Sequence, residues 1–492
     1  MNGETVQRWT VAEIGRALKT EPLRAEGNDV GESGGSLSGS VVIDSREVGP
    51  GDVFVCIKGE RTDGHLYIDA ALKAGAAVVI AQRDHPDLET ITNKVEEAGG
   101  AIFAAEDTTL ALGQLAAHHR KRLGGLVIGV TGSNGKTSAK EMLLALGREM
   151  LGDEFVTATK GNLNNHWGLP LSLLSAKPED KLVIMEMGMN HAGEIAYLSK
   201  IARPDFALIT SISEAHIEFF DSIMGIARAK LEILEGMQGG ALAFPAGATG
   251  IEIAREKAGE HGIELLEFQA EESARTGVFG MEFRFGAAIV RNGHYFNPVM
   301  ASNLLGVITI LARAGFDENR LVEAAARVKP ATGRRFEVFR RGLDSGEQIL
   351  VDDSYNANES SFREALTALR ALLPSGRLAL AAGPMAELGD RAGAAHRRLG
   401  ELAAELDYHA VVLESPHMLE FVRAYQAFVS SEGANSDGKS TARIEQAGDQ
   451  DGIIGSMRER IVAGEFDGIL VKGSRGARMD IVADGIKELG YV

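Results

Sequence analysis

A buried-strand pattern, a glycine-rich turn and a helix-forming run follow one another directly between residues 126 and 150. The three segments read LVIGV, TGSNGKTS and AKEMLLALGREM. A short apolar run that ends in glycines is typical of a buried strand, and apolar residues three and four apart are typical of a helix packed on a sheet. The order predicts an α/β fold with a parallel sheet at this point of the chain.

The turn itself has the composition of a phosphate-binding loop. Glycines let backbone N–H groups approach phosphate oxygens at a helix N-terminus, Lys136 adds a positive charge, and Thr137 offers a hydroxyl to Mg²⁺. The strict P-loop pattern has one more glycine where this chain has Val130, and an ordinary tight turn is the alternative interpretation. Strand, turn and helix occur together here, which favours a nucleotide site. Its predicted residues are Gly132, Ser133, Asn134, Gly135, Lys136, Thr137 and Ser138.

The same alternation of strand and helix continues along the chain. Further buried strands are indicated by KLVIMEMG, FALIT and ALAFPAG, and later by EQILVDDSYNA, RLALAAGP, HAVVLES and GILVKGSRG. Before residue 125, short β-rich runs and a helix followed by a strand over 67–82 indicate a small α/β unit. Because 492 residues exceed what one hydrophobic core usually serves, we predict three domains, at 1–125, 126–330 and 331–492. The polar stretch 430–442 is predicted to be a surface loop.

Composition and charge exclude several classes of protein. The net charge of −18 gives repulsion from polyanions, so the chain is predicted not to bind nucleic acid or an anionic membrane surface. Cys56 is the single cysteine and can form no internal disulfide. Because the chain has no basic and apolar leader and no apolar run of about 18 residues, we expect a cytoplasmic protein without membrane insertion.

Several segments occur in an order that resembles the Mur ligase family, and most closely its MurF type. They are GVTGSNGKTSAKEML, TKGNLNNHWGLPLSLL, VIMEMGMNHAGEI, ITSISEAHIEFF, ARAKLEILEGM, DDSYNAN and VKGSR. The segment DSREVGPGDVFVCIKGERTDGHLYIDAALKAGA is similar to the UDP-sugar-binding domain of that family. The resemblance therefore covers all three predicted domains.

This resemblance implies a fold and an activity. The implied fold has a small N-terminal α/β UDP-binding domain, a central P-loop-type parallel sheet and a C-terminal Rossmann-like domain that receives a dipeptide. The implied activity is ATP-dependent amide-bond formation, which adds D-alanyl-D-alanine to UDP-N-acetylmuramoyl-tripeptide through an acyl phosphate during peptidoglycan precursor synthesis. ATP and two Mg²⁺ ions are the implied cofactors, and a monomer is expected.

Metal-binding and catalytic roles follow from the same resemblance. Glu186 and His216 come at or just after the ends of predicted strands, where open α/β sheets bind their ligands, and these positions hold Mg²⁺ in the family. By pattern alone, His216 is a solvated loop residue and Lys230 a solvated lysine on a helix. In the family this lysine is carbamylated and helps to hold a second Mg²⁺. The resemblance gives Lys136, Glu186, His216 and Lys230 as catalytic, and Thr137 with the last three as metal-binding.

Substrate contacts are implied for further residues. On the nucleotide, Asn303 is expected at the adenine, Arg334 at the phosphates and Asp353 at the ribose, although an arginine at a domain junction is also a common structural ion pair. The uridine nucleotide is expected to be contacted or framed by Ser45, Arg46, Lys58, Asp63, Gly64 and His65. The muramoyl-peptide and phosphates are expected near Thr159, Asn162, Asn164 and Asn165, where an αL-tolerant turn is the alternative. The remaining substrate residues are Asn356, Asn358 and, on the face that receives the dipeptide, Lys472, Ser474 and Arg475.

The chain departs from the family pattern at a few positions. Val299 and Met300 replace the usual His-Asn before Asn303, Pro384 replaces a common Asp, and Glu359 replaces a common Pro. Two other interpretations stay open, a non-catalytic nucleotide-binding scaffold of wall assembly and another Mur ligase that adds a different amino acid. The sequence has no DNPR-like motif for a diaminopimelate carboxylate, which disfavours the ligase of the third amino acid. No motif tells whether the third residue of the tripeptide is lysine or diaminopimelate.

Overall fold

A computed structural model gives the fold of the chain and describes residues 9–25, 39–214, 217–269, 275–277, 279–330, 333–343, 346–432 and 443–492. Three large sheets and one small sheet lie in these ranges. No helix in the described ranges is both long and apolar enough to cross a membrane. The predicted surface loop at 430–442 begins with the end of a helix, and its residues 433–442 lie outside the described ranges.

The first sheet is small and belongs to the N-terminal part of the chain. Its strands are β1 Arg24–Ala25, β2 Val41–Val42, β3 Val53–Val55, β4 Val78–Gln82 and β5 Ala101–Ala105. The helices around it are α1 Val11–Leu18, α2 Ile68–Ala74, α3 Leu88–Glu97 and α4 Thr108–Arg120. The strand order is β1-β5-β4-β3-β2, and every pair is parallel except β1 with β5. Helices cover both faces, so strands β3 to β5 are almost fully buried.

The second sheet has six parallel strands and lies at the centre of the molecule. Its strands are β6 Leu126–Thr131, β7 Val156–Ala158, β8 Leu182–Glu186, β9 Phe206–Ile209, β10 Ala241–Pro245 and β11 Glu264–Phe268. Between them run α5 Lys136–Leu151, α6 Gly168–Leu174, α7 Glu194–Ala202, α8 Ile223–Leu231 and α9 Ile251–Glu260. The order is β11-β10-β9-β6-β8-β7, so the later strands lie on both sides of β6. Open α/β sheets bind ligands at the carboxyl ends of strands at such a switch point.

A small antiparallel sheet follows and was not among the predicted elements. Its strands are β12 Arg275–Gly277, β13 Gly280–Phe285 and β14 Ala288–Asn292, and it is followed by α10 Pro298–Arg313 and α11 Glu318–Arg327. Polar and apolar residues alternate along β13, and Met281 and Phe283 are its buried side. A prediction based on continuous apolar runs does not detect a sheet whose strands alternate between buried and exposed residues.

The last sheet also has six strands. They are β15 Glu337–Leu343, β16 Gly346–Asp353, β17 Leu378–Ala382, β18 Tyr408–Leu413, β19 Ile444–Ala447 and β20 Gly468–Lys472. Its helices are α12 Glu359–Leu372, α13 Ala392–Glu405, α14 Met418–Glu432, α15 Gln450–Val462 and α16 Met479–Lys487. The order is β15-β16-β20-β17-β18-β19, with only β15 antiparallel to its neighbour.

Apolar side chains join these units. Leu112 and Leu115 of α4 share a core with Leu169 and Leu198 of the central unit. Phe296, just before α10, is buried in the core of the C-terminal sheet, and Met300 packs against the cores of both the central and the C-terminal sheets. The start of α10 is therefore a bridge between these two units.

The expected α/β fold with parallel sheets is confirmed. The strands predicted from apolar runs correspond to β6, β8, β9, β10, β16, β17, β18 and β20. The three large sheets lie within 1–125, 126–330 and 331–492, and the domain boundaries themselves stay a prediction.

Candidate active site

The predicted phosphate loop lies between the end of β6 and the start of α5. Gly132 and Gly135 have positive φ angles of 152° and 82°, which other residues rarely adopt. A Cβ atom on Gly135 would lie 2.5 Å from Asn303 Nδ2, so this position has no room for a side chain. The first-turn N–H groups and the dipole of a helix favour an anion at its N-terminus. The loop and α5 therefore form a site with the properties of a phosphate-binding loop.

Lys136 lies across the loop that precedes it. Its Nζ donates hydrogen bonds to the carbonyl oxygens of Gly132 at 2.8 Å and Ser133 at 3.3 Å. Burial lowers the pKa of Lys136, and the nearby Glu186 carboxylate partly opposes this effect. The ammonium group is thus held at the loop by neutral carbonyl oxygens, which a phosphate group can replace as its partner.

Glu186, the last residue of β8, points its carboxylate at the start of α5. Its side chain is buried, with a residue exposure of 1%, and Oε1 accepts hydrogen bonds from Asn164 Nδ2 at 2.8 Å and Thr137 Oγ1 at 3.2 Å. Its Oε2 atom is buried and has no hydrogen-bond partner among the described residues. A buried carboxylate oxygen without a partner, beside a hydroxyl group, fits a divalent cation with oxygen ligands such as Mg²⁺. His216, predicted as another ligand, lies outside the described residues.

Lys230 is a buried lysine near the end of α8, with a residue exposure of 2%. Burial lowers its pKa well below the ordinary value, and the positive charge of Lys136 acts in the same direction. Both effects favour the neutral amine, which is a nucleophile, over the ammonium form.

The carboxyl ends of β16 and β20 form the opposite wall. Lys472 is 1% exposed, and its Nζ donates to Asp353 Oδ2 at 2.5 Å and to Asn356 O at 3.2 Å. Burial raises the pKa of Asp353, while the Lys472 ammonium group opposes this. Asn358 Nδ2 donates to Asn134 Oδ1 at 2.7 Å, so the C-terminal unit touches the phosphate loop directly.

Most of these groups line one cavity of about 690 Å³ between the central and the C-terminal sheet, but Gly132 and the buried Lys230 are not part of its lining. The predicted site residues that line it are Ser133, Asn134, Gly135, Lys136, Thr137, Ser138, Asn162, Asn164, Asn165, Glu186, Asn303, Asp353, Asn356, Asn358 and Lys472. The cavity thus brings together residues that are up to 339 positions apart, from Ser133 to Lys472.

One part of the wall combines a buried amide with apolar side chains. Asn303 is 1% exposed, and its Nδ2 atom has no hydrogen-bond partner in the described part of the chain. Val299 and Met300, one turn earlier on α10, line the same cavity. An unpartnered amide beside apolar side chains can bind the polar edge of a flat ring whose faces are covered by the apolar groups.

Comparisons with known proteins identify the family. The model of the Mur ligase family catalytic domain matches residues 39–120, that of the Mur ligase middle domain 130–310, and that of the Mur ligase glutamate ligase domain 334–475. A UDP-N-acetylmuramoyl-tripeptide–D-alanyl-D-alanine ligase of Bacillus subtilis (strain 168) is 32% identical over 461 residues, which cover 91% of this chain and 93% of that protein. The chain belongs to the Mur ligase family.

Solved structures narrow this to the MurF type. MurF from Acinetobacter baumannii has a TM-score of 0.80 and 27% identity, and the match covers 98% of this chain and 100% of that one. MurF ligase from Thermotoga maritima in complex with ADP has a TM-score of 0.74 and 29% identity, covering 92% of this chain and 98% of that one. This chain is therefore a MurF-type Mur ligase.

Arg334 of this Mur ligase does not line the cavity, contrary to the expectation that it faces the phosphates. It has a positive φ of 54°, and its guanidinium group donates to Asp352 Oδ2 at 3.2 Å and Asp484 Oδ2 at 2.8 Å. Its neighbour Arg335 lines the cavity and donates to Thr137 Oγ1 at 3.2 Å. The sharp turn at this position directs the two consecutive side chains to opposite sides of the chain. Arg334 therefore has the structural ion pair that was the alternative interpretation of an arginine at a domain junction.

Thr159 likewise lies beneath the cavity surface and not in its lining. Its Oγ1 accepts a hydrogen bond from Glu186 N at 2.9 Å, and its carbonyl oxygen accepts one from the buried Lys140 Nζ at 2.9 Å. The observed contacts are those of a residue that holds Glu186 in position, rather than of one that reaches a ligand.

The residues predicted for the uridine nucleotide lie in the N-terminal unit and do not line this cavity. The exposed Arg46 pairs with Asp44 at 2.5 Å and lowers the pKa of Asp44 to about 2. His65 is buried, with Nδ1 at 2.6 Å from Asp63 Oδ1 and with Nε2 accepting from Gln82 N at 2.9 Å. Of the other three, Lys58 is exposed, Ser45 is half-buried and Gly64 is buried. A nucleotide role for these six residues stays a prediction.

Ser474 and Arg475 follow β20 and do not line the cavity either. Ser474 N donates to Pro384 O at 2.9 Å, which holds the end of β20 to the loop after β17. Arg475 Nη1 donates to Tyr355 Oη at 3.1 Å. Their dipeptide role also stays a prediction.

Sequence reasoning missed several residues that line the cavity. They are Arg335, Tyr355, Glu214, Glu364 and Glu387. Three of these had a signal, because Arg335 directly follows Arg334, Tyr355 lies within the DDSYNAN segment and Glu214 lies within the ITSISEAHIEFF segment. The Tyr355 ring stacks under the Arg335 guanidinium at 4.2 Å. Glu364 and Glu387 had none, because a lone glutamate in a helix or loop is the normal composition of a solvated surface.

Proposed function

We propose that this MurF-type protein is an ATP-dependent ligase that adds D-alanyl-D-alanine to UDP-N-acetylmuramoyl-tripeptide in peptidoglycan precursor synthesis. The observation that carries the proposal is the cavity in which a phosphate loop, the unpartnered Glu186 oxygen and the Lys472–Asp353 pair meet. The names of the relatives that match nine-tenths of the chain supply the substrates.

In this proposal the nucleotide lies between the two walls of the cavity. Its phosphates bind the N–H groups at the start of α5, those of residues 135–138, and the Lys136 ammonium group. Arg335 takes the phosphate-facing role expected of Arg334, because its guanidinium lies beside Thr137. The unpartnered Asn303 amide binds the base edge, and Asp353 lies on the ribose side.

Thr137 and Glu186 would hold Mg²⁺, and His216 and Lys230 are the further ligands implied by the resemblance. Bound Mg²⁺ neutralises the charge that develops on phosphate oxygens during transfer. The fit of Glu186 rests on its buried Oε2 atom, which has no partner among the described residues.

The chemistry is a transfer in two steps. An oxygen of the substrate carboxylate attacks the γ-phosphorus of ATP, which gives an acyl phosphate and ADP. The amine of the dipeptide then attacks the acyl carbon, and phosphate leaves. Lys136 stabilises the negative charge on the transferred group, and no protein nucleophile is needed.

We also propose that Lys230 is carbamylated. The lone pair of its neutral Nζ forms a bond to the carbon of CO₂, and one N–H proton is released to solvent. The lowered pKa of Lys230 favours the neutral amine that this reaction needs. Activity should fall when CO₂ is removed from the buffer and return with added bicarbonate, and activity that ignores CO₂ would contradict the carbamate.

The test of the main proposal is a reaction of the full chain with ATP, Mg²⁺, D-alanyl-D-alanine and UDP-N-acetylmuramoyl-tripeptide. Tripeptides that end in lysine and in diaminopimelate are supplied separately, and the product is identified by mass. We expect phosphate release and a pentapeptide product with at least one tripeptide. Nucleotide binding without any product would instead favour the non-catalytic scaffold.

A further inference from the structure

A carboxylate that none of the predicted site residues accounts for lines the C-terminal wall of the cavity. Glu364 lies in α12, and its Oε1 accepts a hydrogen bond from Ser360 Oγ at 2.9 Å. Burial raises the pKa of Glu364, and the Ser360 hydrogen bond and the Lys472 charge act in the opposite direction. The hydrogen bond found for this carboxylate thus comes from a neutral hydroxyl group, which leaves its negative charge available to a cationic ligand.

Helix α12 directs this carboxylate towards the phosphate loop. The N-cap residue of the helix is Asn358, whose side chain donates a hydrogen bond to Asn134 of the loop at 2.7 Å. Glu364 is six residues further, or about 9 Å along the axis at 1.5 Å per residue. Side chains on a helix lean towards its N-terminus, and the bond to Ser360, one turn earlier, has this direction. The Glu364 carboxylate therefore points along α12 towards the helix end that contacts the phosphate loop.

Two other carboxylates of the cavity, those of Glu186 and Asp353, already have partners. Glu186 accepts hydrogen bonds from Thr137 and Asn164 on the phosphate side. Asp353 is paired with Lys472. Glu364 differs from both because it lies on the wall of the C-terminal unit and has a neutral donor as its observed partner.

We propose that Glu364 binds the ammonium group of the incoming dipeptide and accepts one of its protons before the amide bond forms. This inference rests on the ligase function proposed above. An ammonium group has no lone pair, so the amine must lose a proton before it can attack. A half-buried carboxylate that lines the cavity can both bind the cation and take that proton.

The proton balance of the step is complete. One ammonium proton moves to a Glu364 carboxylate oxygen, and the freed lone pair forms the C–N bond at the acyl carbon. The carbon–oxygen bond to phosphate breaks, and its electron pair leaves with phosphate. The second proton lost by nitrogen goes to the departing phosphate, and Glu364 releases its own proton to solvent as the product leaves.

The first test is Glu364→Gln, which keeps the shape of the side chain and removes its charge. We expect the KM for D-alanyl-D-alanine to rise and kcat to fall, with a combined loss in kcat/KM of about ten- to a hundredfold, and the KM for ATP to stay unchanged. The matched control is Glu359→Gln on the same helix. Glu359 pairs with Arg398 at 2.6 Å and does not line the cavity, so this variant should keep the KM for the dipeptide.

Hydroxylamine, supplied in place of the dipeptide, tests the attack on the acyl phosphate separately from the steps that form the acyl phosphate. It is largely neutral near pH 7, so it attacks an acyl phosphate without prior loss of a proton to a base. We expect Glu364→Gln to form the hydroxamate of the tripeptide substrate at the rate of the unmodified protein, although its reaction with the dipeptide is slow.

Equal loss of the hydroxylamine and dipeptide reactions in Glu364→Gln, or no loss of either, would overturn the proposal. A dipeptide defect in Glu387→Gln but not in Glu364→Gln would also overturn it. If the unmodified protein formed neither product, the ligase function itself would fail.

Discussion

On the central side of the cavity, the phosphate loop is a single strand–helix connection with positive φ angles at Gly132 and Gly135. Neutral hydrogen bonds from Ser133 N and Asn134 N to Ser211, just after β9, hold this loop in place. On the C-terminal side, the wall is held by side chains from distant parts of the chain. Lys472 and Asp353 are 119 residues apart, and Asn358 and Asn134 are 224 residues apart.

This difference has a physical consequence for each wall. A backbone-built anion site needs few specific side chains and keeps its geometry when neighbours change. A wall built from buried charge pairs depends on every partner, because removal of one charge leaves the other buried and unpaired. Substitutions on the central side should therefore affect catalysis, and substitutions on the C-terminal side should also affect stability.

The largest expected effect is on the central side. Lys136→Ala removes the positive charge at the loop and should lower kcat by about a thousandfold, as loss of a group that stabilises transition-state charge commonly does. The midpoint of thermal unfolding should stay close to that of the unmodified protein, because the bonds of Lys136 Nζ go to carbonyl oxygens of its own loop. Phosphate release and a thermal scan measure the two effects. Full activity of this variant would contradict a catalytic phosphate loop.

The next effect concerns stability of the C-terminal wall. Lys472→Met leaves Asp353 buried without its counter-charge and should lower the free energy of unfolding by about 3–5 kcal/mol at neutral pH. Denaturant unfolding measures it.

The pH dependence of this loss has a definite sign. Burial raises the pKa of Asp353, so the folded state binds its proton more tightly than the unfolded state does. Without Lys472 the loss should be largest at high pH and should shrink as the pH falls and Asp353 becomes neutral. A loss that is independent of pH would contradict an unpaired carboxylate as its cause.

These differences also explain how much could be predicted from the sequence. The parallel strands and the phosphate loop were predictable because apolar runs and glycine turns encode them locally. The directions in which the Arg334 and Arg335 side chains point were not predictable from the sequence. They depend on the positive φ angle of Arg334 and on its ion pair with Asp484, which is 150 residues away. Thr159 was predicted as a substrate contact, but its hydrogen bond to Glu186 N forms only once β7 and β8 are paired.

The two arginines offer a sharper comparison. Arg335→Ala should raise the KM for ATP and lower kcat/KM by about ten- to a hundredfold, because it removes a cation beside Thr137. Arg334→Ala should leave the KM for ATP unchanged and lower stability instead, since its partners are Asp352 and Asp484. Steady-state kinetics with varied ATP measures both. A higher KM for ATP in Arg334→Ala but not in Arg335→Ala would mean that Arg334 faces the phosphates.

The smallest expected effect is at the contact between the walls. Asn358→Ser keeps a capping side chain for α12 but is too short to reach Asn134, so it tests the contact without removing the cap. We expect the free energy of unfolding to fall by about 1 kcal/mol or less and the KM for ATP to rise a few fold.

A double-mutant cycle with Asn134→Ala is the control for this contact. Additive effects of the two substitutions would mean that the Asn134–Asn358 hydrogen bond contributes nothing to joining the walls.

The most direct test of the central claim is a crystal structure with a non-hydrolysable ATP analogue and Mn²⁺ in place of Mg²⁺, in which anomalous scattering locates the metal. The account predicts an anomalous peak at Glu186 Oε2 beside Thr137, with the phosphates of the analogue on the loop of residues 132–138. A metal and nucleotide bound outside the cavity between the central and C-terminal sheets would contradict it.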